Sequence, residues 1–169
     1  PRLQRHARKR PPRQSLTTAP LTLDLTLDFP LPADLHPQHQ RELIEGPVRG
    51  CRLYREGSFV LHGSAIRVCH ACISIVGASG HGKSTLAAVL CARGGKLVSD
   101  GMTPVDLTNR TVQPGPPRTK LSAESIGLLG RNVDELERIH PTSEKFYVPV
   151  EGVGEHGDVE LSAVICVDE

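Results

Sequence analysis

The residues with the clearest chemistry form one loop, Gly77-Ala78-Ser79-Gly80-His81-Gly82-Lys83-Ser84-Thr85. They fit the pattern G-x-x-x-x-G-K-[ST], which is the phosphate-binding P-loop or Walker A motif. The glycines of such a loop let successive backbone N–H groups point at a polyphosphate. Lys83 is predicted to reach the outer phosphates and the Ser84 hydroxyl to hold Mg²⁺, with His81 as a spacer. The sequence therefore predicts that residues 77–85 bind ATP.

A strand and a helix must flank this loop to position it. Residues 71–76 form a short apolar run rich in β-branched side chains, which predicts a buried strand. Residues 85–93 are good helix formers that are apolar on nearly all sides, and Gly94-Gly95 follow where a helix is expected to end. The N-terminus of that helix would add unpaired N–H groups and a positive dipole end to the phosphate site. This order favours a P-loop over a chance glycine-rich turn.

The remaining pattern predicts mostly strands. Residues 21–28 alternate apolar and polar side chains, as a strand does, and residues 29–40 contain three prolines and are predicted to be a loop. Runs at 51–54, 58–62 and 65–68 predict an antiparallel β-meander with a turn at Glu56-Gly57. After the P-loop helix we expect a strand at 96–100, loops over 103–120, short helices at 122–129 and 133–139, and strands at 146–150 and 161–167.

Composition limits the class of protein. The 169 residues are enough for one domain, and a formal net charge of +1 gives no strong field that would select nucleic acid or a membrane as partner. Residues 1–14 hold six basic side chains and no acid. We expect residues 1–19 to be a disordered basic tail, in preference to an arm that binds an anionic partner. Residues 20–169 are expected to form a single domain that is truncated at its C-terminus.

Cellular location and cysteine usage are linked. No apolar run has the length of a transmembrane helix and no signal peptide is evident, so we predict a cytoplasmic protein whose five cysteines are reduced. Cys69 and Cys72 form a C-x-x-C pair at the start of the strand that leads into the P-loop. Because a zinc site usually needs a second pair, one of these cysteines is more simply interpreted as a small buried apolar residue.

A nucleotide site also needs a carboxylate, and two candidates exist. Asp100 ends the predicted strand after the P-loop helix, 17 residues beyond Lys83. Asp168-Glu169 follow the apolar run 163–167 and have the form of a Walker B strand with a catalytic Glu. The second candidate would indicate a transporter-type ATPase, but the Leu-Ser-Gly-Gly-Gln signature of those proteins is absent from the sequence. We therefore favour a core strand that simply ends in surface acids.

Residues 62–101 resemble the catalytic domain of HPr kinase/phosphorylase and its smaller relatives, which include kinases of lasso-peptide pathways. The similarity is carried, in order, by His62-Gly63, the P-loop, Arg93-Gly94 and Leu97-Val98-Ser99-Asp100. It covers residues 58–120 well and residues 20–168 loosely. It implies an α/β P-loop domain with a mixed, largely antiparallel sheet, like that of phosphoenolpyruvate carboxykinase. It also implies transfer of the γ-phosphoryl group of ATP to a serine hydroxyl of a protein or peptide, with Mg²⁺ as cofactor.

The resemblance further implies site residues. Asp100 matches the first Asp of the family's pair, which would act as general base and hold Mg²⁺ together with Ser84 and water. His62 matches the family's histidine beside the site. Gly101 stands where the family has its second Asp, so a nucleotide-binding module without catalysis is the alternative. Three cations that could stabilise the transferred charge, though each alone is more often a surface residue, are Arg118, Lys120 and Lys145. Homo-oligomerisation is left open.

Overall fold

The computed structural model describes residues 34–154 and 157–167. The predicted basic tail, the predicted strand at 21–28 and the Asp168-Glu169 pair lie outside these residues. Within the described part of the chain, no helix has both the length and the apolar character needed to cross a membrane.

Helical structure in the described residues lies mainly in three stretches. The first comprises α1 (Pro37–Leu43), a π-helical turn (Ile44–Val48) and α2 (Arg49–Arg55), which follow one another directly and which we call the strap (residues 37–55). The second is α3 (Lys83–Ala92), directly after the P-loop. The third is α4 (Ala123–Leu128), and a 3₁₀ turn (Val133–Glu135) comes soon after it. The prediction of helices after the P-loop and near residue 122 is confirmed.

Five strands form one mixed sheet. They are β1 (Phe59–Val68), β2 (Ala71–Gly77), β3 (Lys96–Asp106), β4 (Thr111–Val112) and β7 (Val159–Val167). The strands follow the order β1-β2-β7-β4-β3, and β3 pairs with β1, so the sheet closes on itself. Only the β2–β7 pair is parallel among these strands. The predicted α/β class with a mixed, largely antiparallel sheet is confirmed at this level.

A separate two-stranded ribbon completes the fold. It consists of β5 (Arg118–Ser122) and β6 (Lys145–Pro149), which pair antiparallel. The helix α3 lies between the sheet and this ribbon, because its Ala87 packs with Ile66 and Ile75 of the sheet while its Ala88 packs with Leu121 and Val148 of the ribbon. Apolar residues on two sides of α3 explain why its sequence lacks a single apolar stripe.

Three predictions before the P-loop are wrong. Residues 37–40, which were predicted to be part of a loop, lie in α1. Residues 51–54 are not a strand but part of α2, in which Leu53 is the buried side chain. A run of four residues is too short for periodicity to separate helix from strand. The segments 58–62 and 65–68 are one strand, since His62, Gly63 and Ser64 continue the pairing of β1 with β3. The predicted meander is therefore a single β1–β2 hairpin, extended by β3 on the other side of β1.

Three predictions after the P-loop also need correction. The segment 103–120 is not all loop, because β3 continues to Asp106 and both β4 and β5 begin within it. The helix predicted at 133–139 is only a 3₁₀ turn, after which Tyr147 donates its N–H to the Glu137 carbonyl at 2.8 Å. The strand at 161–167 is confirmed, but its residues 162–166 are exposed and do not form a buried core strand.

Candidate functional site

The P-loop connects β2 to α3 through backbone that favours glycine. At Gly77 a Cβ atom would lie 2.3 Å from the carbonyl oxygen of Val167, so the parallel strand β7 leaves no room for a side chain. Gly82 is the N-cap of α3 with φ 76°, and no side chain caps this helix. The first N–H groups of α3 therefore have no side-chain acceptor, which is the arrangement that binds phosphate at a helix N-terminus.

Lys83 lies across this loop. Its side chain is 7% exposed, and its Nζ donates a hydrogen bond of 2.7 Å to the carbonyl oxygen of Ala78. A buried ammonium group needs such a partner, because burial without one is costly. The predicted phosphate-binding cation is thus held within the loop itself.

Asp100 reaches the P-loop from β3. It lies opposite Ser64 in the β1–β3 register. Its Oδ1 accepts hydrogen bonds from the Ser64 hydroxyl at 2.5 Å and the Ser84 hydroxyl at 2.9 Å, and its Oδ2 accepts one from the backbone N–H of Lys120 at 3.2 Å. Two predicted residues, the P-loop serine and the acid of the following strand, are therefore in direct contact.

A cavity of about 510 Å³ opens beside this contact. The P-loop, the ribbon and the strap each contribute to its wall, and its size is in the usual range for small-molecule sites. Predicted residues that line it are His62, Ser79, Gly80, Gly82, Lys83, Ser84, Thr85 and Asp100. The remaining predicted loop residues, Gly77, Ala78 and His81, are not part of the lining.

His62 stands at the edge of this cavity. It is exposed and lies two residues before Ser64 on β1, so the two side chains share one face of the strand. The hydrogen bonds of the Asp100 carboxylate are with Ser64, Ser84 and Lys120. The structure thus brings His62 to the cavity without joining it to the acid.

Thr85 links the start of α3 to α4. Its hydroxyl shares a hydrogen bond of 2.9 Å with that of Ser125, whose N–H in turn donates to the Ser122 hydroxyl, the N-cap of α4. This contact fixes the first turn of α3, and therefore the P-loop, relative to the ribbon.

The predicted cations of the ribbon also line the cavity. The Arg118 Nη2 donates to both carboxylate oxygens of Glu45 in the strap, at 2.7 and 2.5 Å, and the guanidinium lies 4.1 Å above the Tyr147 ring. The Lys120 Nζ is 3.5 Å from an oxygen of Glu42. Lys145 is exposed at the start of β6. Two of the three cations are therefore paired with carboxylates of the strap.

Tyr147 is a buried residue with a polar group near these cations. Its side chain is 4% exposed, and its hydroxyl has no hydrogen-bond partner among the described residues. Burial raises the pKa of this phenol above its ordinary value, the Glu45 carboxylate adds to the increase, and Arg118 opposes it. The hydroxyl therefore stays protonated at neutral pH and can donate a hydrogen bond.

No known protein family and no curated protein matches this chain. The function is therefore argued from the side chains of the cavity.

Two observations concern the predicted metal site. Within residues 34–154 and 157–167, no group of three or more His, Cys, Asp or Glu side chains is arranged to hold a metal ion. Oxygen ligands suited to Mg²⁺ are present as the Ser84–Asp100 pair, and Mg²⁺ commonly keeps several waters.

The two cysteines of the C-x-x-C pair differ in burial. Cys72 is buried, which raises its thiol pKa to about 11, whereas Cys69 is exposed in the hairpin turn.

Sequence reasoning missed Ser64, Tyr147 and the two glutamates of the strap. The contact of Ser64 with Asp100 can be recognised only from the β1–β3 register, because the two residues are 36 positions apart in the chain. Glu45 is 73 residues from Arg118 and lies in a helical segment in which no helix was predicted. The one signal available was Ser64 itself, directly after the His62-Gly63 pair that carries the resemblance.

Proposed function

We propose that this protein is an ATP-dependent, HPr kinase-like phosphotransferase that moves the γ-phosphoryl group of ATP to a serine hydroxyl of a protein or peptide. The observation that carries this proposal is the 2.9 Å hydrogen bond from the P-loop Ser84 to Asp100. It places a carboxylate directly beside a phosphate-binding loop, where phosphoryl transfer needs both a metal ligand and a proton acceptor.

The residues present fit ATP. The uncapped start of α3 offers backbone N–H groups, and Lys83 offers a cation within the loop. The cavity of about 510 Å³ next to them extends to the ribbon, where further cations lie. Binding of the outer phosphates would give the Lys83 ammonium group a charged partner in place of the Ala78 carbonyl.

The residues present also fit Mg²⁺. The Ser84 hydroxyl and the Asp100 carboxylate would hold it, with water at the other positions, as both are hard oxygen ligands. When bound, the ion neutralises charge on the phosphate oxygens. Gly101 brings no second carboxylate, so the affinity for the metal would rest mainly on Asp100.

Asp100 is also the proposed proton acceptor. The serine oxygen of the acceptor forms a bond to the γ-phosphorus, the bond from that phosphorus to the ADP oxygen breaks, and the serine proton passes to the Asp100 carboxylate. Three donated hydrogen bonds hold this carboxylate in place, from Ser64, Ser84 and the Lys120 N–H. Arg118 and Lys120 lie on the ribbon wall of the same cavity.

Two alternatives have specific support. Gly101 in place of a second acid supports a nucleotide-binding module that does not catalyse transfer. The parallel pairing of β7 with β2, in which Val167 is opposite Gly77, supports an ATPase with a Walker B acid at Asp168, the next residue in the chain.

Incubation with γ-labelled ATP and a library of serine peptides, read by mass for phosphoserine, tests the proposal. We expect phosphoserine from the wild type and none from Lys83→Ala, since the variant lacks the cation that faces the outer phosphates. Lys96→Ala is the matched control, because Lys96 pairs with Glu151 away from the cavity. Release of free phosphate without phosphopeptide would support the ATPase, and ATP binding without either product would support the non-catalytic module. Unchanged ATP affinity in Lys83→Ala would contradict the P-loop assignment itself.

A further inference from the structure

The strap is held against the cavity mainly by charged groups. The segment α1 and the π-helical turn contain no buried residue, and in α2 only Leu53 is buried. The contacts to the rest of the protein include Glu45 with Arg118, Glu42 with Lys120 and His140, and Arg41 with Glu137. Ion pairs of this partly exposed kind contribute little net stability each, so an anion that binds the same cations can replace them.

The Arg118 site has the features of a carboxylate-binding site. Its guanidinium is fixed over the Tyr147 ring, and its Nη2 donates to both oxygens of one carboxylate. The side chains of Arg118 and Glu45 are only 27% and 35% exposed. The Tyr147 ring lies against the Arg118 guanidinium, and its buried hydroxyl lacks a partner among the described residues and is an unused donor. Glu45 therefore occupies a site that a carboxylate from another molecule would also fit.

The position of this site relative to Asp100 limits which carboxylate it could receive. The N–H that binds Asp100 belongs to Lys120, two residues from Arg118 on β5. Two residues of a strand span about 6.6 Å, which is also the distance between alternate residues of an extended peptide. A serine at Asp100 would thus place an acidic side chain two residues away near Arg118.

We propose that Arg118 and Tyr147 form an acceptor subsite for the carboxylate side chain of an acidic peptide, and that Glu45 fills this subsite until the acceptor displaces it. The inference rests on the proposed function, because it takes the hydroxyl of the acceptor serine to bind at Asp100. The selectivity for an acidic peptide can still be measured without phosphoryl transfer. In this proposal, Glu45 of the strap competes with the acceptor peptide for the subsite.

The experiment compares two labelled pentapeptides, Glu-Gly-Ser-Gly-Glu and Gln-Gly-Ser-Gly-Gln, by fluorescence anisotropy without nucleotide. We expect the wild type to prefer the acidic peptide, and Glu45→Gln to bind it about fivefold more tightly, which corresponds to about 1 kcal/mol. The neutral peptide should gain nothing. Arg118→Met should lose the preference. Glu56→Gln is the matched control, because it removes one negative charge from the end of the strap at a site where Glu56 pairs only with exposed Arg52.

Each outcome is decisive. Equal binding of the two peptides by the wild type and Glu45→Gln overturns the subsite, and an equal gain in Glu56→Gln shows a general charge effect and overturns it as well. Hydrogen exchange of residues 37–55 is the second measurement, and displacement of Glu45 requires faster exchange when the acidic peptide is added. Selective binding without phosphoserine formation in the labelled-ATP experiment would leave the subsite standing and refute the kinase.

Discussion

Asp100→Asn separates the structural role of this residue from its proposed chemical role. The substitution keeps the size of the side chain and removes only its charge and one acceptor oxygen. With the amide turned so that its oxygen accepts the Lys120 N–H, its NH₂ group can donate to the hydroxyls of Ser64 and Ser84, which can act as acceptors. All three contacts therefore have a neutral replacement.

The expected magnitudes differ for folding and for transfer. Hydrogen bonds to a charged group contribute about 1.5–3 kcal/mol and neutral ones about 1 kcal/mol. Removal of the charge also removes the cost of desolvating the carboxylate. We therefore expect the free energy of unfolding to fall by only about 1–2 kcal/mol. Loss of a general base typically lowers the rate of transfer by a factor of about 10²–10⁴. Activity should therefore fall far more than stability.

Three measurements on Asp100→Asn test this. Urea unfolding gives the free energy of unfolding, a fluorescent ATP analogue in the presence of a chelator gives nucleotide affinity, and labelled ATP with serine peptides gives the rate of phosphoserine formation. Affinity without metal should be unchanged or slightly greater, because a negative charge near the phosphates is removed. Affinity should respond less to added Mg²⁺ than in the wild type.

Phosphoserine formation within tenfold of the wild-type rate would refute the role of Asp100 as proton acceptor. Asp168→Asn is the informative comparison. If that variant loses ATP turnover while Asp100→Asn retains it, the acid of the ATPase alternative is the reactive one and the kinase proposal fails.

Two further predictions concern Gly101 and Cys72. Gly101→Asp should raise the Mg²⁺ dependence of ATP binding at a strain cost of about 1 kcal/mol, since Gly101 lines the cavity with φ 84° and open space beside it. Gly101→Asn has the same strain without the charge, and an equal response of both variants in a Mg²⁺ titration would show that the new acid does not face the metal. Between about pH 8 and pH 10.5, the free energy of unfolding should fall by about 2 kcal/mol more in the wild type than in Cys72→Ala. The Cys72 pKa is about 11 in the folded protein, so the thiol ionises first in the unfolded chain. Urea unfolding at the two pH values would detect this, and parallel losses would contradict the burial of the thiol.

The site could be predicted only where it is local in sequence. The strand before the P-loop motif and the helix after it follow from contiguous patterns, and both are present at residues 71–92. Asp100 was predicted to end the next strand, but that strand, β3, continues to Asp106. The contact between Asp100 and Ser64 depends on strand register, which the pattern of one strand does not contain.

The strap and the ribbon show why the rest could not be predicted. Residues 51–54 have strand-like side chains but lie in a helix, where Leu53 is the buried residue. Strand β5 follows a proline-rich stretch that predicts a loop. Its pairing partner β6 begins at Lys145, which is 23 residues after Ser122 and lies opposite it in the register. Tertiary pairing overrides weak local preference in both segments.

The close approach of Val167 to Gly77 has a consequence for how the protein must fold. The carbonyl that leaves no room for a side chain at the first P-loop residue belongs to a strand 90 residues later in the chain. Contacts of such separation form late, because the loop they close carries a large entropy cost. A nascent chain in which residues 77–85 have been synthesised would still lack β7, the strand that pairs with β2 on one side. If residues 77–85 bind ATP as proposed, the gain of that binding during synthesis or refolding would follow the pairing of β7 with β2.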